Sequence, residues 1–142
     1  MDKQSLHLEK DIEVLQSIVR EMAASMSGEQ STRHWAEDAI WFDIGATASK
    51  GVTPAYKEFD EAFSNLASCD VTIKEMDVLI TERMGIVCTI QSWDLITKKD
   101  NEKSNLLVRQ TDCFEKQNGE WKLIHQHSST PAGGEWDGKY VL

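Results

Sequence analysis

Long apolar runs are missing from this 142-residue chain. None approaches the roughly 20 residues that a membrane-spanning helix needs. The opening stretch, MDKQSLHLEKDIEVL, is charged throughout and lacks the apolar centre of a secretory leader. A cytoplasmic protein with no membrane partner is therefore expected. Positive charge is also short: 15 Lys and Arg stand against 24 Asp and Glu, for a net charge of −9. A nucleic-acid surface needs a basic stripe. The one short basic cluster, Lys98-Lys99, is offset by Asp100 and Glu102, so no nucleic-acid partner is expected. Cysteine is sparse and odd in number. Cys69, Cys88 and Cys113 show no CxxC spacing and sit in or beside apolar stretches, which fits reduced packing residues. The chain contains no GxGxxG, no P-loop and no GxSxG. No cofactor is expected.

What is present is an ordinary globular composition, 40% hydrophobic and 27% charged, at a length that suits one domain over residues 1–142. Leu8, Ile12, Leu15, Val19, Met22 and Met26 recur at helical spacing and predict a long amphipathic helix, with Gly28 as its stop. A short second helix is predicted over roughly 29–37, followed by a strand in AIWFDIG that turns at Gly45. Tyr56, Phe59, Phe63 and Leu66 mark a third helix, roughly 53–67, with Pro54 in its first turn. After Cys69 the pattern changes to DVTIKEMDVLIT, GIVCTIQSWDLIT, SNLLVRQTDCFEK and EWKLIHQHSS, four runs at strand density. Helices gathered ahead of an antiparallel sheet predict an α+β domain.

Asn118-Gly119 between the last two runs is a strong hairpin signal. A two-residue turn there sets Gln117 opposite Glu120. Counting back, Phe114 faces Leu123, Asp112 faces His125 and Gln110 faces His127. A bulge would break the count. Both faces of the hairpin are partly apolar, so the pattern leaves open which one is concave.

AEDAIWFDIG, the Lys50-Gly51 pair, RQTDCFEKQNGEWKLIHQHSSTP and the tail GKYVL together make the chain resemble the nuclear transport factor 2-like superfamily. Within it, the likeness is to SnoaL-like and ketosteroid-isomerase-like proteins. The matching stretches cover most of residues 30–142. The C-terminal part is also similar to the association domain of calcium/calmodulin-dependent kinase. The resemblance implies a cone-shaped roll with helices on a curved, mainly antiparallel sheet. It also implies an internal pocket and a homodimer built on the outer face of the sheet. It does not imply one chemistry, because the superfamily holds isomerases, cyclases, dehydratases, hydrolases and assembly domains.

Several residues then become candidates. In the resembled isomerases, the strand after the AEDA-like stretch ends in a proton-shuttling aspartate, which places Asp43 in that role. An Asp before a glycine turn also caps its own backbone, so a purely structural role stands beside it. Asp112 matches approximately the neutral carboxyl that those isomerases use to hold a developing oxyanion. It interrupts an apolar strand, and pairing with His125 would satisfy both groups. The resembled isomerases also use a first-helix tyrosine, which residues 18–22 lack. That argues against steroid isomerisation and leaves other acid–base reactions open.

His125 and His127 form an H-x-H pair that could ligate a metal with Asp112, Asp43 or His34. No metal spacing supports it, and no metal is expected. His125 is the candidate for acid–base or pocket work, and His127 for a rim position. Trp35, Trp41, Trp93 and Trp121 are candidates for an aromatic pocket wall, with core packing as the alternative. Alternation places Gln91 beside Trp93 as a pocket amide. The kinase association domain carries arginine near the positions of Gln91 and Asp112, so its anion site is not expected here. The implied function is a pocket for a small hydrophobic carbonyl compound. It either works by cofactor-free acid–base catalysis or serves only for binding or assembly.

Overall fold

The computed structural model of the chain describes residues 3–132, and the tail motif GKYVL lies outside the described residues. Among the described residues, three helices and six strands follow in the order α1 (Lys3–Ala23), α2 (Gly28–Thr32), β1 (Trp35–Phe42), β2 (Ala48–Lys50), α3 (Val52–Ser64), β3 (Leu66–Ile80), β4 (Met84–Thr97), β5 (Lys103–Gln117) and β6 (Glu120–Ser129). The strands form one open sheet in the order β2-β1-β6-β5-β4-β3. Every pairing is antiparallel except β1 with β6. The expected α+β roll, helices on a curved and mainly antiparallel sheet, is what forms.

The helices press one face of this sheet. On α1 the buried set is Asp11, Leu15, Ile18 and Val19, one stripe at helical spacing. They meet Val87, Phe114, Trp121 and Leu123 from the sheet and Trp35, Ala39 and Trp41 from β1. The closest approach is at Gly85 on β4. A Cβ there would stand 2.5 Å from Leu15 Cδ1, so the absent side chain is what lets the helix settle on the strand. Among the described residues, no helix is long and apolar enough to cross a membrane.

Three helix expectations change. α3 ends at Ser64 rather than running to residue 67, and Leu66 opens β3. α1 ends at Ala23 rather than running to Met26, and Gly28 opens α2 instead of closing α1. Ser27 caps α2 by accepting from the Gln30 backbone N–H (3.1 Å). α2 stops at Thr32 because residues 35–42 extend as β1 and pair with β6. The WAEDAIWF run alternates well enough to lie in a sheet once a neighbouring strand is present, and tertiary pairing overrides local helix preference.

The hairpin turn forms as its sequence demands. Asn118 and Gly119 take φ of 52° and 81°, the left-handed pair of a type I′ turn. Gln117 pairs with Glu120 and Phe114 with Leu123, as counted from the turn. Beyond that point the count fails. The register shifts between Phe114 and Cys113, so that Cys113 pairs with His125, Asp112 with Gln126 and Gln110 with Ser128. Ile124 is the extra residue of a β-bulge. A one-residue slip exchanges the two faces of every following position. The expected Asp112–His125 and Gln110–His127 pairings are therefore corrected. Gln126 and Ser128 turn inward, while His125 and His127 turn outward.

Candidate functional site

Between α3, the ends of α1 and α2, and the inner face of the sheet lies a cavity of about 340 Å³. Its walls are mostly apolar, with aromatic rings from Trp41, Phe59, Phe63 and Trp93. The aromatic side is a packed cluster. Trp41 and Phe59 centroids are 4.8 Å apart, and Phe63 stacks on Phe59 at 6.2 Å. Trp35 sits behind this wall, edge-on to Phe59 at 5.8 Å and to Trp41 at 6.4 Å. It is buried in the core and is not one of the cavity's lining residues. Its indole N–H finds no acceptor among the described residues.

Asp43 lies at the cavity wall, just after β1, in the turn that leads to β2. The turn closes when the Asp43 backbone N–H donates to Thr47 O (3.0 Å). Burial pushes the Asp43 carboxyl above the usual carboxylate range, and backbone hydrogen bonds from Ile44 and Gly45 pull it back. The residue thus accepts hydrogen bonds from its own turn and lines the cavity. Desolvation makes the carboxylate more basic, which suits proton abstraction.

The floor carries amides. Trp93 Nε1 donates to Gln91 Oε1 (2.7 Å), and Gln91 Nε2 donates to Thr89 Oγ1 (2.8 Å). Next to them, Ser128 Oγ donates to Gln110 Oε1 (3.0 Å) and Gln110 Nε2 donates to Asp112 Oδ2 (3.0 Å). Gln126 Nε2 donates to the other carboxylate oxygen, Asp112 Oδ1 (2.7 Å). Asp112 is fully buried and is not in contact with the cavity; Gln110 and Gln126 stand between. Desolvation pushes its carboxyl up to about 6. The bonds from Gln110 and Gln126 and the charge of His125 act in the opposite direction. Strand alternation explains the grouping: Gln110 and Asp112 are two apart on β5, and Gln126 and Ser128 are two apart on β6.

His125 and His127 are on the outer face, away from the cavity. His125 Nδ1 is 2.8 Å from Ile40 O, and Phe42 meets both rings edge-on, at 5.2 and 5.5 Å. Among the described residues, no three His, Cys, Asp or Glu side chains stand as a metal-holding group. The cavity's described lining includes no Lys, Arg or His; its ionisable groups are Asp43, Cys69 and, at an exposed edge, Glu58. Burial pushes the Cys69 thiol up, with the neighbouring Asp70 adding to the effect. That keeps it protonated and a poor nucleophile.

Of the sequence candidates, the structure brings Asp43, Trp41, Gln91 and Trp93 to one cavity. Asp112 lies one residue layer behind it, Trp35 behind its aromatic wall, and the histidines across the sheet. Sequence reasoning missed Gln126 and Ser128 as lining residues. Their two-residue spacing was visible, but the bulge at Ile124 decides which face they take.

Against this geometry, the model of the SnoaL-like domain matches residues 13–133. The chain belongs to the SnoaL-like domain family. Solved structures similar to this SnoaL-like chain share its fold at low identity. A hexachlorocyclohexane dehydrochlorinase, LinA type 2, is 12% identical, with 90% of each chain covered and a TM-score of 0.81. A candidate scytalone dehydratase from Novosphingobium aromaticivorans is 12% identical over 93% of this chain and 89% of its own, with a TM-score of 0.79. A candidate calcium/calmodulin-dependent protein kinase II association domain from Xanthomonas campestris is 17% identical over 86% of each chain, with a TM-score of 0.70. No curated protein sequence matches the chain. Two of these similar structures carry the names of a dehydrochlorinase and a dehydratase and the third that of an association domain, so the fold alone does not choose between them.

Proposed function

We propose that this protein binds a small, uncharged, largely apolar carbonyl compound in the cavity, and that Asp43 moves a proton on it without a cofactor. The observation that carries the reading is a half-buried carboxylate on the wall of an aromatic-lined cavity with no cation in its described lining. A carboxylate is a weak base in water. Taking water from around it raises its basicity and brings it closer to what removal of a proton beside a carbonyl requires. The amides of Gln91, Gln110 and Gln126 supply polar contacts that would orient the compound. Isomerisation, cyclisation and elimination can each begin with removal of a proton from carbon by a base, and the dehydratase and dehydrochlorinase names among similar folds are consistent with a base in the cavity. The family match supports reading the chain as one such domain. The half-exposed Ile40 and Phe42 on the outer face support the homodimer that the resemblance implies, and sizing in solution tests that part.

The test is proton exchange. Hydrophobic ketones that raise the melting temperature are placed in D2O with the protein, and exchange of the proton next to the carbonyl is followed by NMR. The wild type should accelerate exchange, and Asp43→Asn should lower that acceleration about 100-fold or more. Equal exchange in the two proteins would dismiss Asp43 as the base. Stabilising ligands with no exchange at all would reduce the protein to a binding module.

A further inference from the structure

Behind the cavity floor, Asp112 holds two amides at once. An ionised carboxylate only accepts hydrogen bonds, so Gln110 and Gln126 must both turn their NH2 groups to it, and both do (3.0 and 2.7 Å). Their carbonyls are then forced to point elsewhere. The Gln110 carbonyl is taken by the Ser128 hydroxyl. Among the described residues, nothing donates to Gln126 Oε1, and Gln126 lines the cavity. Gln126 is 5% exposed as a residue, and its Oε1 is not one of the fully buried polar atoms left without a partner, so the oxygen keeps accessible surface. A ligand hydroxyl can donate to it there.

We infer that Asp112 is a positioning residue that fixes the Gln126 carbonyl toward the cavity, so that the cavity selects compounds presenting a hydroxyl or enol donor at that point. This deepens the binding reading given above and rests on it. The enol form of a carbonyl compound carries such a donor and the parent ketone does not. When Asp43 returns the proton it takes from carbon to the carbonyl oxygen, the product is that enol, and the Gln126 carbonyl would favour it. The Gln126 amide is free to reverse because nothing in the described structure holds its far end, whereas the Gln110 amide is tied by Ser128. If Asp112 became an amide, its NH2 would need an acceptor. Reversing Gln126 supplies one and turns an N–H donor into the cavity.

The test uses 2-naphthol and its methyl ether, two planar probes of nearly equal shape that differ in having a donor. Affinities are read from tryptophan quenching in the wild type, Asp112→Asn and Gln126→Met. The wild type should prefer 2-naphthol about tenfold, the value of one hydrogen bond. Both variants should bring the ratio close to one, and Asp112→Asn should do so by strengthening the ether. A loss of general packing would weaken both probes together and leave the ratio unchanged. A ratio that stays at its wild-type value in both folded variants would overturn the inference while leaving the pocket reading intact. If neither probe binds the wild type, the pocket reading fails and takes this inference with it.

Discussion

Replacing Asp112 by Asn should stabilise the protein at neutral pH and not in acid. The magnitude follows from the burial of that carboxyl. In the folded chain it titrates at about 6, against an ordinary value of 3.8. The difference is about two pH units at roughly 1.4 kcal/mol each, or about 3 kcal/mol. The sign follows from proton counting. Between the two values the folded state keeps a proton that the unfolded state has released, so stability falls as pH rises through this window. The contribution is fully present below about pH 4 and is lost above about pH 6, where the buried charge is only partly compensated. An asparagine carries no charge in either state and is nearly the same shape. It keeps a donor or acceptor for each glutamine once Gln126 reverses. Unfolding in urea, followed by tryptophan fluorescence from about pH 4 to pH 8, gives the free energy of each protein at each pH. Other titrating groups largely cancel in the difference. That difference should grow in favour of Asp112→Asn by about 3 kcal/mol across the range, with no change in urea slope. A difference that is flat with pH, or that grows toward acid, would refute the reasoning. It would mean that the two glutamines and His125 already compensate the charge.

Three further substitutions separate backbone strain, packing and hydrogen bonding. Gly119→Ala meets no atom within 4 Å but must hold φ near +81°, so chemical denaturation should show a loss of about 1 kcal/mol and nothing else. Gly85→Ala has no such strain, yet its Cβ would sit 2.5 Å from Leu15 Cδ1 in a fully buried contact. A loss of about 1–3 kcal/mol is expected, and the smaller Leu15→Ala in the same chain should recover part of it in a double-mutant cycle. Trp121→Phe removes the indole N–H that donates to buried Asp11 (3.0 Å) while Lys116 still does so (3.2 Å). Unfolding free energies should fall by about 1–3 kcal/mol, and Asp11→Asn should make the Trp121 change less costly.

Much of the frame is legible in the residues. The apolar stripe of α1, the four strand runs and the Asn118-Gly119 turn are local patterns, and local patterns are enough to place α+β elements in order. The motif stretches then narrow that order to one superfamily. The cavity candidates that held their place, Asp43, Trp41, Gln91 and Trp93, lie beyond the irregular start of β1 and on the continuous β4–β5 register. The readings that moved belong to two places where non-local pairing decides. Residues 35–37 look helical until β6 pairs beside them. Residues 125–128 take the wrong faces until Ile124 is set aside as a bulge.

By itself, then, the sequence determined the class of fold, the sign of the charge and the set of residues able to do chemistry. These follow from composition and from periodicities of two and of 3.6, which need no knowledge of neighbours. Only the tertiary structure decided which of those residues meet. A bulge depends on how two neighbouring strands accommodate each other, and one extra residue reverses every side chain after it. That reversal moves His125 from Asp112 to the outer face and puts Gln126 in its place. It turns a candidate ion pair into a buried carboxylate that holds two cavity amides.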